Sequence, residues 1–444
     1  MIKNEDINGY WFLPSNPEFQ CYGRLVFGPL TSPRLTLTAA PGNDLSSFPY
    51  DVEDYVIWGH DTKGEAITLF GCNRLNVESF GRGVQTSIFN AQYLVFGEHI
   101  TSADAKEFGS VRFSFEGFED WIGIFGHDIN LRSAQSFTIS YEQPPDLPFD
   151  IDDNTSGRLT FWNNKPYINT REVVLNQDSL VKLNFQNSIC LEDILTYVWR
   201  MQQFITLLMF EQTKVKWIFI EKSGKELGLF YRQHNPDLLT NDRALYLLPF
   251  RLVKDQFGGA LMKWFRLADE LNPVINILNA NIGESKEFVH NNFLNIIQAV
   301  EAFHRRKIQS TAQLQSENQL LISRILGDIT NSEDKKWLEA RLAYSYEPNL
   351  RIRLKELTAR HQTTLFKDLP TNKRVGRLIS QIVEKRNYFT HYDPSLEKDG
   401  DETGKIIGYT RFLKTLLAFC LLDQIGFDST FLKDIIYNRY KFKI

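Results

Sequence analysis

The sequence has few cysteines and no clustered metal ligands. Its four cysteines lie far apart, without a CxxC pair or a His-rich stretch nearby: Cys21, Cys72, Cys190 and Cys420. Structural zinc and dithiol redox sites need closely spaced ligands, so neither is readable here. We therefore expect a reduced cytoplasmic protein that holds no metal and needs no cofactor.

Long apolar runs are also missing. The longest, Leu207–Phe210 and Leu416–Leu422, are far below the roughly 20 residues that span a bilayer. The charged N-terminal residues lack the apolar segment of a secretion signal. No contact with a membrane is expected.

Common catalytic motifs are absent as well. The chain has no GxSxG elbow, no P-loop, no HExxH and no strand-borne GxGxxG. Asp152 and Asp153 are paired carboxylates, but they lie in a polar stretch and are best interpreted as solvated. The net charge of −4 means that any surface for nucleic acid must be local.

What the chain does contain predicts an α+β multidomain protein, because 444 residues exceed the usual size of one core. Aromatic and β-branched runs broken by Gly, Pro, Asn and Asp predict an all-β sandwich or barrel up to residue 188, with sandwich-like preferred. Gln143–Gly157, rich in proline and acidic residues, is predicted to be a surface loop, either between two β lobes or on one sandwich.

Residues 189–246 are predicted to connect the domains through an amphipathic helix from Leu191 and a hairpin, Val215–Ile220 with Leu227–Tyr231. Residues 247–444 are predicted to form an all-α bundle whose helices are broken or delimited by prolines at 273, 348, 370 and 394. Its predicted helices are Gly258–Ala268, Glu287–Arg306, Gln313–Ile329, Glu333–Tyr344, Leu350–His361, Lys373–His391, Lys405–Asp423 and Thr430–Arg439.

Candidate catalytic residues lie at the end of one predicted helix, in Val383–Asp393, which is followed by Pro394. Arg386 falls on the apolar stripe that Ile382 and Phe389 share, so it must find a carboxylate, a phosphate or a partner subunit. Basic residues nearby give a small footprint suited to a phosphodiester, or simply a solvated face: Lys373, Arg374, Arg377 and Lys385.

Arginine and histidine at one phosphate can cleave RNA without metal, since arginine stabilises the phosphorane and histidine exchanges protons with the 2′-hydroxyl or the leaving oxygen. Asn387 and His391, four residues apart, share a face, whereas Arg386 and His391 lie about 140° apart on an ideal helix. Convergence therefore requires that the last turn unwinds before Pro394, or that two copies of Val383–Asp393 meet across a subunit interface.

Arg386-Asn387-Tyr388-Phe389-Thr390-His391 matches the R-x4-H motif of HEPN ribonucleases in its R-N-x3-H form. The helical region resembles the ApeA-like HEPN domain of bacterial phage-defence proteins, and Gly9–Pro14 with Gly23-Arg24-Leu25 resembles that family's N-terminal domain. The resemblance implies a metal-independent endoribonuclease of abortive infection that cleaves cellular RNA such as tRNA. It also implies that HEPN bundles pair as a homodimer or larger homo-oligomer. We expect the N-terminal domain to sense a phage-derived trigger or to restrain the nuclease.

By the same resemblance Arg386 and His391 are the catalytic pair, and Asn387 is the supporting polar residue. Glu301 becomes a candidate partner for Arg386, with His304 and Arg305 near the RNA path, although all three also fit a solvated helix end with an intrahelical ion pair. A rival interpretation is a non-catalytic HEPN-type dimerisation module with a ligand-binding β domain.

Overall fold

The computed structural model describes residues 5–28, 31–39, 48, 55–79, 84–102, 104–133, 136–163, 165–233, 246–282, 288–309, 311–342, 345–366, 372–392 and 402–436. The chain divides into two compact units, residues 1–262 and 263–444. The first is rich in strands and the second is helical, which confirms the predicted fold class.

Six strands of the first unit close into a barrel: β1 (Glu5–Leu13), β2 (Asn16–Gly28), β3 (Thr31–Ala39), β4 (Tyr55–Asp61), β5 (Ala66–Ser79) and β6 (Gln85–Asn90). Antiparallel pairing runs β1-β2-β3-β6-β5-β4 and returns to β1. Trp11 is fully buried in its core. A Cβ at Gly59 would come within 2.3 Å of that indole, so the close approach of β4 to Trp11 requires glycine.

The barrel continues into an open sheet through β5, which also pairs with β7 (Tyr93–Phe96). From β7 the order is β17-β16-β8-β15-β12-β11, so the described residues contribute thirteen strands to this sheet. The added strands are β8 (Phe108–Phe115), β11 (Leu147–Asp152), β12 (Thr155–Asn163), β15 (Gln177–Ile189), β16 (Val215–Lys222) and β17 (Lys225–Tyr231). Two short ladders stand outside it: β9 (His127–Ser133) with β10 (Ser136–Tyr141), and β13 (Tyr167–Ile168) with β14 (Val173–Val174).

The predicted hairpin at residues 215–231 is confirmed. Its turn places Ser223 at φ 51° and Gly224 at φ 80°, the left-handed pair that matches the twist of the flanking strands. Both strands lie inside the large sheet, between β8 and β7.

The prediction that Gln143–Gly157 is a loop is wrong. Leu147–Asp152 forms β11, which pairs with β12 at the edge of the sheet. Pro148 is tolerated because an edge strand has one side that needs no backbone donor. Phe149 and Ile151 are buried while Asp150 and Asp152 are exposed, so a period of two was present beneath the prolines.

Three helices accompany the sheet: α1 (Phe118–Ile122), α2 (Leu191–Met209) and α3 (Phe250–Val253). The predicted periodicity of α2 is confirmed, since Ile194, Val198, Met201, Ile205 and Leu208 are all buried. Trp121 of α1 donates from Nε1 to the carbonyl of Leu248 at 2.8 Å, which satisfies its buried indole.

The helical unit contains α5 (Val289–Lys307), α6 (Thr311–Gly327), α7 (Ser332–Leu342), α8 (Leu350–Arg360), α9 (Gln362–Leu365), α10 (Asn372–His391), α11 (Thr403–Gln424) and α12 (Ser429–Ile436). Every residue from Thr415 to Leu422 is buried, so α11 is the central helix of the bundle. No helix among the described residues is long and apolar enough to cross a bilayer.

Preceding them, α4 (Phe257–Asn281) crosses the boundary between the units and contains Pro273. The prediction that this proline breaks or delimits a helix is confirmed, because the backbone leaves helical geometry beside it and a second helical segment follows. The break occurs at Leu271, with φ −113° and ψ 19°, so Pro273 enters the first turn of the continuing segment, where no amide donor is needed. Pro370 and Pro394 lie outside the described residues.

Candidate active site

The motif helix α10 is regular up to His391. The amide of Tyr392 donates to the carbonyl of Tyr388 at 2.6 Å, and Tyr392 itself adopts a left-handed φ of 48°. The helix therefore does not unwind before His391, and the first of the two predicted routes to convergence is wrong. Asp393 and Pro394 lie outside the described residues.

Arg386 is half-buried and finds a carboxylate, as its place on the apolar stripe requires. Its Nη2 lies 3.8 Å from Oε2 of Glu301 on α5, and its Nη1 donates to Oδ1 of Asn387 at 3.3 Å. The side chains of Arg386 and Glu301 keep 33% and 25% of their exposure, so the pair remains accessible from solvent. One end of the guanidinium is thus oriented, and a further anion can still approach it.

His391 is exposed in the final turn of α10. Across the described residues, no hydrogen bond or ion pair joins it to Arg386. Because α10 is regular, the two side chains leave the helix about 140° apart. One chain therefore supplies the arginine and the histidine in different directions.

A buried polar network lies next to Glu301, and it was not predicted from the sequence. Arg353 of α8 is 1% exposed, and it donates from Nη1 to Nδ1 of His304 at 3.2 Å and from Nε to the carbonyl of Pro348 at 2.8 Å. Its Nη2 pairs with Glu347 at 3.1 Å. Arg353 thus ties α8 to the turn of α5 that follows Glu301.

His304 is a buried core residue, so its predicted place near the RNA path is wrong. It is 1% exposed, and its Nε2 lies 2.6 Å from Oε2 of Glu356. Since Arg353 donates to Nδ1, the proton of the neutral ring is on Nε2 and is donated to Glu356. Burial, reinforced by the charge of Arg353, holds the pKa of His304 below its ordinary value although Glu356 opposes the shift.

Arg305, the other predicted neighbour of the RNA, is exposed and reaches the same carboxylate as Arg353. Its Nη2 lies 2.5 Å from Oε2 of Glu347, with 57% of its side chain exposed. Glu347 therefore joins a buried and a solvated arginine. Arg353 could have been suspected from its spacing, because Leu350, Leu354 and Arg353 share one helix face.

The predicted basic footprint divides into two parts. Lys373, Arg374 and Arg377 are exposed in the first turns of α10. Lys385 is instead 9% exposed, forms an ion pair with Glu402 and lies 5.5 Å from the ring centre of Tyr388. Only the first three residues present charge to the outside.

Aromatic contacts fix α10 against α5. His290 stacks on Phe389 with ring centres 4.2 Å apart, and Phe293 approaches the same ring edge-on at 6.1 Å. Phe389 is three residues after Arg386, so this packing holds the motif turn beside Glu301. In the described ranges no three His, Cys, Asp or Glu side chains group as metal ligands would.

Two family models match the chain. The model described as ApeA N-terminal domain 1 matches residues 6–264, which is more than half of the 444 residues, and the model described as Apea-like HEPN matches residues 294–431. The chain belongs to the ApeA family. No curated protein and no solved structure matches it.

The Apea-like HEPN match contains Glu301, the Arg353 network and the whole motif helix. Membership confirms the resemblance that the motif suggested. HEPN domains commonly dimerise and act on RNA, and the ApeA family supports the assignment of an anti-phage HEPN effector in a nuclease family.

Proposed function

We propose that this chain is a metal-independent endoribonuclease that cleaves cellular RNA to cause abortive infection, with tRNA as the first substrate to test. The observation that supports this most is the half-buried Arg386, oriented by Glu301 and still open to an anion, on the helix that carries the exposed His391. Asn387 braces the guanidinium from the same turn.

Each residue has a role that its surroundings permit. Arg386 would contact a non-bridging phosphate oxygen and stabilise the charge of the phosphorane. His391, in contact with solvent, would exchange a proton with the 2′-hydroxyl or the leaving 5′-oxygen. Attack by the 2′-oxygen breaks the bond to the 5′-oxygen and leaves a 2′,3′-cyclic phosphate, a reaction in which no water or metal is consumed.

The angular separation of these groups supports a site made by two copies of the motif helix. We propose a homodimer or larger homo-oligomer in which Arg386 of one copy and His391 of another face the same phosphate. The exposed Lys373, Arg374 and Arg377 would attract the RNA backbone. The β-rich unit would sense a phage-derived trigger and control when cleavage starts.

The test is cleavage of total RNA and of purified tRNA by the full-length protein in EDTA. We expect 2′,3′-cyclic phosphate ends that disappear with Arg386→Ala and with His391→Ala. Thr390→Ala is a matched control, because Thr390 is an exposed neighbour whose hydroxyl bonds only to the carbonyl of Arg386 in the described structure. Full cleavage by either motif variant would exclude the assignment.

A second candidate is a non-catalytic dimerisation module. It is favoured by one observation, namely that Arg386 already has a carboxylate partner within its own chain. Under this hypothesis the variants of Arg386 and His391 change the oligomeric state, measured by sedimentation, while wild-type protein leaves RNA intact even in cells infected by a phage that it restricts.

A further inference from the structure

A groove in the β-rich unit lies far along the chain from the motif helix. Its volume is about 640 Å³, within the range of about 300–1,000 Å³ that ligand sites occupy. Two aromatic side chains line it, Phe125 from the segment after α1 and Trp217 from β16. Phe125 is 59% exposed, so its ring is accessible to a ligand in the groove.

Phe125 is held in place although it is exposed. The side chain of Gln177 accepts a hydrogen bond from the amide of Gly126 at 2.9 Å and donates one to the carbonyl of Ile124 at 2.8 Å. The side-chain amide of Gln177 thus holds the backbone on both sides of Phe125. A backbone segment fixed before binding loses little entropy when a ligand arrives.

Trp217 is positioned by a different contact. The guanidinium carbon of Arg112 lies 5.9 Å from the Trp217 ring centre and 4.8 Å from that of Phe219. Glu226 pairs with Arg112, so the charge of this arginine is already compensated. Polar neighbours therefore restrain both aromatic residues of the groove, Phe125 through its flanking backbone and Trp217 through its ring face.

The charged lining of the groove is negative in sum. Lys216 lies 2.5 Å from Asp178 and 3.3 Å from Glu119, so one ammonium serves two carboxylates. Aromatic faces beside an excess carboxylate are an arrangement that binds a cation.

An exposed apolar strip continues from the groove. His127 lines the groove and begins β9, and the period of two places Ile129 and Leu131 on the same face of that strand. Ile139 of β10 is directly opposite Ile129. These three side chains are 58%, 73% and 37% exposed, and in the described part of the chain the two strands pair only with each other.

We propose that this surface docks an extended segment of a partner protein, with an arginine or lysine in the groove and apolar residues at the second and fourth positions after it. Side chains two residues apart in an extended chain are spaced by about 6.6 Å, which is also the spacing of His127, Ile129 and Leu131. The regular two-residue spacing fits an extended peptide, and the negative lining opposes a phosphate backbone. This proposal rests on the sensor role proposed above and specifies the kind of ligand that the sensor would recognise. The binding itself does not depend on nuclease activity.

The probe is the peptide acetyl-Ser-Arg-Ser-Val-Ser-Val-Ser-amide, titrated calorimetrically into the full-length protein. We expect binding that weakens at least about tenfold when glutamate replaces the arginine, and equally when the two valines are moved out of the alternating register. Phe125→Ala should weaken it by a similar factor. Tyr167→Ala is the matched control, since Tyr167 is also 59% exposed in the same unit, and it should bind like the wild type.

Because Phe125 is largely exposed, its variant should keep the wild-type melting temperature. Asp178→Asn is a second variant, which removes one carboxylate of the groove together with its ion pair to Lys216, and it should also weaken binding of the arginine peptide. Absence of binding at millimolar peptide, equal binding of the glutamate peptide, or equal losses in Phe125→Ala and Tyr167→Ala would each overturn the proposal. So would competition by an RNA oligonucleotide. A change in the sedimentation of the free protein on Phe125→Ala would show that a second copy covers the surface instead.

Discussion

The two arginines that share Glu347 allow a buried polar network to be compared with a solvated ion pair to the same carboxylate. Arg353 and Arg305 both contact Oε2 of this carboxylate, at 3.1 and 2.5 Å, but their side chains are 2% and 57% exposed. Replacing either with alanine removes one ion pair to the same partner. The difference between the two variants therefore reports what the burial of Arg353 and its further hydrogen bonds add to that shared ion pair.

We expect a large loss for Arg353→Ala. The change leaves Nδ1 of His304 and the carbonyl of Pro348 without their donor, in addition to Glu347. Removing one partner from such a buried network costs about 3–5 kcal/mol. Arg305→Ala removes a solvated contact and should cost less than about 1 kcal/mol.

Hydrogen exchange of the full-length protein, followed by mass spectrometry of peptides from α5 and α8, is the assay. A loss of about 3 kcal/mol corresponds to more than about a hundredfold faster exchange in these helices. Arg305→Ala should change the same peptides by less than about sixfold. Equal acceleration in the two variants would refute the argument that the buried network, rather than the ion pair itself, joins α5 to α8.

Three further predictions concern other parts of the chain. The folded-state pKa of His304 is below its ordinary 6.5, so the stabilising contribution of His304 is complete above pH 6.5 and is lost as the pH falls toward the folded pKa. Melting temperatures between pH 7.5 and 5.5 should therefore fall less in His304→Gln than in the wild type. Parallel melting curves of the two proteins would contradict this. If active sites combine Arg386 of one copy with His391 of another, mixing Arg386→Ala and His391→Ala subunits should restore about a quarter of wild-type cleavage, whereas sites within one chain give none. Gly59→Ala should destabilise the barrel by about 1–3 kcal/mol, because the added Cβ contacts the indole of Trp11. Gly259→Ala, at an open position in a helix, should instead stabilise the protein by up to about 1 kcal/mol. Equal shifts in thermal unfolding of the two variants would exclude the steric explanation.

The sequence identified the position of Arg386 correctly because a helical stripe is a local pattern. A charged residue on an apolar face must be compensated, and the structure places Glu301 there. The compensation of Lys385 by Glu402 could not be predicted, since it depends on how α11 begins relative to α10. His304 was misjudged for the same reason: it precedes a basic run that looks solvated, and only the packing of α8 buries it.

The β-rich unit shows a similar limit. Turn signals located the hairpin at residues 215–231, because Ser223-Gly224 specifies its own turn. Where that hairpin pairs is a property of distant strands, and nothing local places it between β7 and β8. The prolines of Gln143–Gly157 concealed β11, since their cost depends on whether the strand is at an edge.

The inserted hairpin also sets the order in which a ribosome can deliver a foldable chain. All six barrel strands have been synthesised once Asn90 has emerged, so the barrel can close while translation continues. In the folded sheet β16 and β17 lie between β7 and β8. One edge of β7 and one edge of β8 therefore stay unpaired until the chain has been synthesised as far as Tyr231. During that interval the nascent chain presents two unpaired edges, and a transcript cut short between these points yields a product prone to edge-to-edge aggregation.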